Sequence, residues 1–351
     1  MGVIRILFIA DTHLGFDYPF NPRIHRRRRG DDFFANYRRV LEPAFQNKIH
    51  AVIHGGDLLF RSRVPARLVD RAMEPLKTLA DRGIKVYIVP GNHERSRIPF
   101  GILSLHPGIF IFDRPRTFIF EKNGTKIALA GFPYFRENIR NNFPDVLERT
   151  GWRFRLQTCD AILLCVHHCF EGATVGPGNY TFLYDKDVIR HADIPKEFIA
   201  VLSGHIHRFQ VLTRDLRGRT LATPVFYPGS IERTSFAEKQ EKKGYLTVEL
   251  LSGEKRIKPG LKWHFHKLPV RPMVYLSLSV DGLDPAGLKD IIRRSLRRLD
   301  PHSIVRIKIQ GRLKKDCFPV LHAAYLRELS PREMNISIRF NHQVVNSPHY
   351  F

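Results

Sequence analysis

The sequence predicts an α/β fold followed by a smaller α+β unit, on three observations. Short runs rich in Ile, Val and Leu end abruptly in polar residues, as buried strands do. The segments between the first runs carry apolar residues at helical spacing. From about residue 225 onward strands follow one another with little helix between, until a proline-bounded stretch at 268–272 reads as a hinge.

Residues 4–10, 51–53, 85–89, 161–166 and 198–202 read as the first strands. Residues 31–45 and 65–79 read as helices, with Asp81, Arg82 and Gly83 as a stop. Alternating strand and helix implies an α/β core, whose functional groups gather beyond the strand ends. Strands are expected again at 225–227, 245–250 and 261–266. After the hinge the pattern reads strand 273–280, helix 285–299, strand 303–310, helix 318–329 and strand 335–340. In the helix at 285–299, Leu288, Ile292, Leu296 and Leu299 form an apolar strip that would pack inward. Its Arg293, Arg294, Arg297 and Arg298 form a basic strip, because residues four apart stack on one face.

Lys and Arg number 57 against 34 Asp and Glu in 351 residues, a formal charge of +23. A field that positive favours a polyanion, nucleic acid or an anionic membrane surface, over a neutral ligand. No stretch reaches the roughly 18 apolar residues that a membrane span needs, so no membrane is expected. The first apolar run is too short and too early for a secretory signal, and a cytoplasmic location is the default expectation. Cys159, Cys165, Cys169 and Cys317 form no C-x-x-C pair and no disulfide framework. Cys165 and Cys169 flank two histidines, which would suit zinc, but a free cysteine is most often a small buried hydrophobe.

Five polar clusters follow the strands in order. They are Asp11-Thr12-His13, Gly56-Asp57, Gly91-Asn92-His93-Glu94, His167-His168 and Gly204-His205-Ile206-His207. Two carboxylates, an amide oxygen and several imidazoles suit manganese, iron or zinc; an all-oxygen set would suit calcium or magnesium. Asp11 and His13, and likewise His205 and His207, lie two apart and on extended backbone would point the same way. Each piece alone is common, and a lone histidine at a strand end is more often structural. The ordered set, with each member at a strand end, carries the signal.

That order resembles the calcineurin-like metallophosphoesterases. Asp11-Thr12-His13-Leu14-Gly15, Tyr227-Pro228-Gly229-Ser230-Ile231-Glu232-Arg233 and Lys243-Gly244-Tyr245 resemble more narrowly the SbcD and meiotic recombination nuclease family of DNA repair exonucleases. The resemblance implies a four-layer α/β/β/α sandwich of two mixed sheets at 1–266 and a small basic capping domain at 267–351. It implies two divalent metal ions, manganese foremost, with iron or zinc also accepted. Asp11, His13 and His207 would hold one ion; Asn92, His167 and His205 the other; Asp57 would bridge. The family's histidine directly follows the apolar run, which favours His167 over His168; strand alternation lets only one of the two face the site. His93, aligned by Glu94, would be the catalytic acid or transition-state stabiliser. Glu94 stands where the family most often has Asp.

The implied reaction is two-metal hydrolysis of phosphodiester bonds in DNA, with exonuclease or endonuclease action open. Arg61, Arg95 and Arg97 near the site loops, and Arg293, Arg294, Arg297 and Arg298, are the candidate DNA contacts. Arg63 and the arginines at 26–29 lie near the same loops; the bland reading of all of them is a solvated surface. One alternative is a phosphodiesterase or phosphatase acting on small molecules or phosphoproteins. Another is a DNA-end-binding subunit of an SbcC-like SMC ATPase complex. That partnership usually uses a helical segment after the cap, and none is visible before Phe351. A homodimer through residues 31–45 is also expected from the family, though those apolar positions could equally be core.

Overall fold

The computed structural model describes residues 3–17, 27–94, 106–251 and 260–340. The chain divides into two compact units, Met1–Tyr18 with Asp32–Pro269, and Pro19–Asp31 with Val270–Phe351.

The larger unit holds two six-stranded sheets. The first is built from β1 (Val3–Ile9), β2 (Ala51–His54), β3 (Lys85–Ile88), β4 (Ile109–Ile111), β15 (Gly244–Leu251) and β16 (Gly260–Lys267), in the order β16-β15-β1-β2-β3-β4. The second contains β5 (Arg116–Lys122), β6 (Thr125–Gly131), β7 (Ala161–Val166), β12 (Ala200–Ser203), β13 (Gln210–Arg214) and β14 (Thr220–Tyr227), in the order β13-β14-β12-β7-β6-β5. Two short pairs join β8 (Cys169–Phe170) to β11 (Val188–Ile189) and β9 (Thr174–Val175) to β10 (Tyr180–Thr181). Both sheets are mixed. Strands β1 to β4 are parallel, with β15 antiparallel to both β1 and β16; β6, β7, β12 and β14 are parallel, with β5 antiparallel to β6 and β13 antiparallel to β14.

Helices α1 (Arg29–Phe45) and α2 (Ala66–Asp81) cover the outer face of the first sheet, and α3 (Ile139–Glu148) covers that of the second. Phe8, Ile53, Tyr87, Leu163, Leu202, Phe226 and Leu246 fill the space between the sheets. These are the four α/β/β/α layers expected. Each large apolar side chain so buried contributes roughly 1.5–3 kcal/mol. The apolar face of α1 is core: Phe33, Tyr37, Val40, Leu41 and Ala44 pack inward at helical spacing, and Tyr37 Oη donates to Ala72 O at 3.0 Å.

The smaller unit is a parallel sheet of β17 (Met273–Ser279), β18 (Ile304–Gln310) and β19 (Asn335–Phe340). Helix α4 (Pro285–Arg297) is capped by the Asp284 carboxylate accepting from Gly287 N at 2.8 Å, and buries Leu288, Ile292 and Leu296. The helix expected at 318–329 is two pieces, a 3-10 turn at Lys315–Leu321 and α5 (Ala323–Leu329). His322 is the break: its backbone is extended, and its Nδ1 accepts from Ala324 N to start the second piece. Arg27 also belongs to this unit, its carbonyl accepting from Asn335 Nδ2 at 3.1 Å, a long-range link that no local pattern foretells.

Candidate metal centre

Every polar cluster sits just past a strand of the larger unit. Asp11 and His13 follow β1, Asp57 follows β2, and Asn92 and His93 follow β3; His167 follows β7, and His205 and His207 follow β12. Parallel strands bring these ends to one rim.

The loops do not converge by strand alternation, which corrects the extended-backbone expectation. Asp11 (φ 50°), His13 (φ 43°), Asp57 (φ 53°) and His205 (φ 81°) are all left-handed. For residues with a Cβ that backbone costs about 1–2 kcal/mol each and clusters at functional sites. A ladder offsets the cost: Asp11 N donates to Gly56 O (2.9 Å), His13 N to Asp57 O (3.0 Å) and Leu14 N to Leu58 O (2.9 Å). His54 locks the same two loops from below. Its Nδ1 accepts from Gly56 N (3.2 Å), its Nε2 meets Thr12 Oγ1 (3.0 Å), and Thr12 donates on to Leu58 O. Burial lowers the His54 imidazole to about 3, so it serves as a neutral ring.

The side chains form one connected group. His13 Nε2 lies 2.9 Å from His207 Nε2, and His207 Nε2 lies 4.0 Å from Asp11 Oδ1. Asn92 Oδ1 lies 3.0 Å from both His167 Nε2 and His205 Nδ1. Asp57 Oδ2 stands between the two sets, 3.4 Å from His167 Nε2 and 3.9 Å from His13 Nε2. His167 Nδ1 donates to Gly55 O at 2.7 Å, so its Nε2 is turned to the group. His168 is turned away: its Nε2 accepts from Phe135 N at 3.1 Å and its ring stacks on Tyr134.

Burial opposes the charge on Asp57, yet the attraction of His167, His13 and His93 and the bond from His167 outweigh it, and the carboxyl lies well below its usual range. Burial would lower His167, but Asp57 raises it to about 9. Burial raises Asp11, and burial takes His13 well down.

The donors fit divalent metal. Asp11, His13 and His207 present ligand atoms within 4.8 Å of one another, as do Asp11, Asp57 and His167. Asp11 Oδ2 and His13 Nδ1 are buried without a hydrogen-bond partner, and an uncompensated buried carboxylate oxygen is costly. Nitrogen and oxygen donors in such a mixture suit first-row transition metals.

His93, like His207, is only partly buried. Its Nε2 is as far from Asp57 Oδ2 as that of His13, 3.9 Å, but its side chain is 33% exposed against 0% for His13. Its Nδ1 donates to Phe60 O at 2.7 Å, which leaves Nε2 turned toward Asp57, and His13, Asp57 and His93 likewise present ligand atoms within 4.8 Å of one another. Glu94 does not orient the His93 ring, a correction to the expected pairing. Its carboxylate accepts from Leu59 N and Gly91 N, 2.7 Å each, tying two site loops together. Burial and the charge of Asp57 push Glu94 up to about 8 against those two bonds.

Arg61 is exposed beside Phe60, whose carbonyl holds His93. Arg95 and Arg97 lie outside the described residues. Arg293, Arg294, Arg297 and Arg298 lie on and at the end of α4 in the smaller unit, Arg293 half-buried and the others exposed. Arg294 is paired with Asp290 at 2.6 Å. Two further residues went unread in the sequence: His54, hidden at the end of an apolar run, and Tyr134, whose ring lies 5.7 Å from that of His205. Tyr134 follows β6, a strand parallel to β7, so a fuller strand reading would have found it.

Close approach demands glycine at positions 56 and 91. A Cβ at Gly56 would overlap His167 Nδ1, and one at Gly91 would overlap Asp57 Oδ1 and N. Gly91→Ala is therefore expected to lower stability by about 1–3 kcal/mol through overpacking and to deplete bound metal. Thermal melting and metal analysis of the variant check it; unchanged metal content would refute it.

Residues 4–209 match the calcineurin-like phosphoesterase family, and the chain belongs to that family. The chain is similar to DNA double-strand break repair protein Mre11 of Methanocaldococcus jannaschii, 29% identical over 255 residues, covering 70% of this chain and 62% of that one. The Mre11 protein of Methanosarcina mazei is 28% identical over 322 residues, 88% of this chain and 45% of that one. That of Aeropyrum pernix is 26% identical over 311 residues, 84% and 68%. The chain thus spans less than two thirds of the first two relatives.

Proposed function

We propose that the protein hydrolyses phosphodiester bonds in DNA at this centre. The carrying observation is the convergence of Asp11, His13, Asp57, Asn92, His167, His205 and His207 at one rim of the sandwich. Asp11, His13 and His207 would hold one ion, Asn92, His167 and His205 the other, with Asp57 shared. When bound, such a pair lowers the pKa of water and neutralises charge at phosphorus. The chain's own contribution begins with geometry. The left-handed loops fix the donors before substrate arrives, so little reorganisation remains. His93, its ring partly exposed and held through Phe60, would deliver a proton from Nε2 to the leaving oxygen. Arg61, exposed beside Phe60, would meet a phosphate of the substrate.

DNA is favoured as substrate by the charge of +23 and by the similarity to DNA repair proteins. Manganese is the proposed ion, given the imidazole and carboxylate donors. The arginines of α4 would hold phosphate backbone, giving residues 267–351 a capping role. An SMC-like ATPase is the proposed partner.

The test is a nuclease assay on linear duplex and single-stranded DNA with manganese, magnesium or chelator, alongside bis-(p-nitrophenyl) phosphate. Manganese-dependent DNA cleavage that chelator abolishes is expected. Turnover of the small diester without DNA cleavage, with and without an added ATPase partner, would overturn the DNA reading and leave the metal chemistry.

A further inference from the structure

The segment after the P-G-S-I-E-R motif holds a second group of buried ionisable side chains. Lys243 is fully buried, and Glu238 is nearly so. A buried ammonium is costly unless each of its protons finds an acceptor. Here each does: Lys243 Nζ donates to Glu238 Oε2 (2.5 Å), Glu241 Oε2 (3.3 Å) and the backbone carbonyl of His207 (2.9 Å). Glu238 Oε1 lies 3.2 Å from His207 Nδ1 and accepts from Thr234 Oγ1. Lys243 and Glu238 thus grip His207 twice, once by its ring and once by its backbone. Gly229 and Ser230 grip it a third time, since Ser230 N donates to His207 O at 3.1 Å and a Cβ at Gly229 would overlap that oxygen.

A core ion pair needs no imidazole. The informative feature is where the ring points. A carboxylate can only accept from Nδ1, so Nδ1 carries the proton and Nε2 is left with its lone pair, facing His13 Nε2 and Asp11. Carboxylate support of this kind fixes the tautomer of a ligating histidine and raises its basicity.

We propose that Glu238 is a positioning residue for the metal centre, orienting His207 through Nδ1, and that Lys243 holds Glu238 and the His207 backbone in register. The inference rests on the reading of His207 as a ligand. It gives the Glu238–Lys243 pair a purpose that strand pairing and core packing leave unaccounted for.

The experiment is a manganese titration of metal-free protein, followed by calorimetry and by the electron paramagnetic resonance of free manganese. Wild type, His207→Ala, Glu238→Gln, Glu238→Ala and Lys243→Met are compared, with melting of each metal-free protein to confirm folding. Glu238→Ala is expected to weaken one of two manganese equivalents by about 10- to 100-fold and to leave the other unchanged. Glu238→Gln keeps the shape and an accepting oxygen, so it should recover part of the loss. Lys243→Met should fall between them. If His207→Ala loses an equivalent while both Glu238 variants, folded, bind both ions as wild type does, the positioning role is overturned and the ligand reading stands. If His207→Ala itself loses nothing, the ligand reading falls and the inference falls with it. Should Glu238→Ala not fold, Glu238→Gln carries the test alone, since loss of the charge must then weaken one equivalent by a measurable factor.

Discussion

Asp57→Asn is expected to reduce bound metal from two equivalents to one or none and to lower phosphodiesterase turnover by about 10³-fold or more. Asp57 lies within 4 Å of imidazoles from both halves of the centre, His13 on one side and His167 on the other, and of His93. An amide keeps the shape but loses the negative charge that would balance shared cations. Several kcal/mol of charge stabilisation disappear with it, and each 1.36 kcal/mol is tenfold in rate. Asp57 Oδ1 also accepts from His93 N at 2.9 Å, so the variant could disturb the neighbouring loop. Metal analysis beside turnover separates the two effects. Full metal content with lowered turnover would mean that Asp57 acts on the loop and not as a bridge.

His93→Ala should do the opposite: keep both metal equivalents and lose about 10²- to 10⁴-fold in kcat. The ring is partly exposed and is held by a backbone carbonyl, not by another donor of the centre. Removing it leaves the contacts among Asp11, His13, Asn92, His167, His205 and His207 in place. A variant with undiminished turnover would remove His93 from the chemistry. One that loses metal would make it a ligand.

Much of the centre was legible because each donor follows an apolar strand, and a strand end is a strong local signal. Asp11 after Ile9 and His167 after Val166 needed only that pattern. The backbone was not legible. Nothing in D-x-H says that both residues take positive φ, because that follows from hydrogen bonds to Gly56 and Asp57, more than forty residues away. The role of Glu94 was misread for a similar reason. Adjacency to His93 suggested a pair, but the carboxylate is spent on the amides of Leu59 and Gly91. The hairpin of β5 and β6 went unread although Phe118-Ile119-Phe120 and the run from Ile127 to Ala130 are apolar and Asn123-Gly124 marks the turn between them. Helix α3 also went unread, although Ile139, Phe143, Val146 and Leu147 give it a buried face at helical spacing.

The ring nitrogens of His13 and His207 meet across 194 residues of chain, and His167 reaches the carbonyl of Gly55 across 112. Contacts so distant in sequence are slow to form, because loop closure must be achieved before they reward it. The centre therefore comes together only when the two sheets have closed on each other. A chain still being synthesised has half a binding site until β12 and its loop emerge. Metal loading then follows folding instead of driving it: the refolding rate of the larger unit should be indifferent to added manganese, while the unfolding rate slows. The ions would then act as a clasp fastened last.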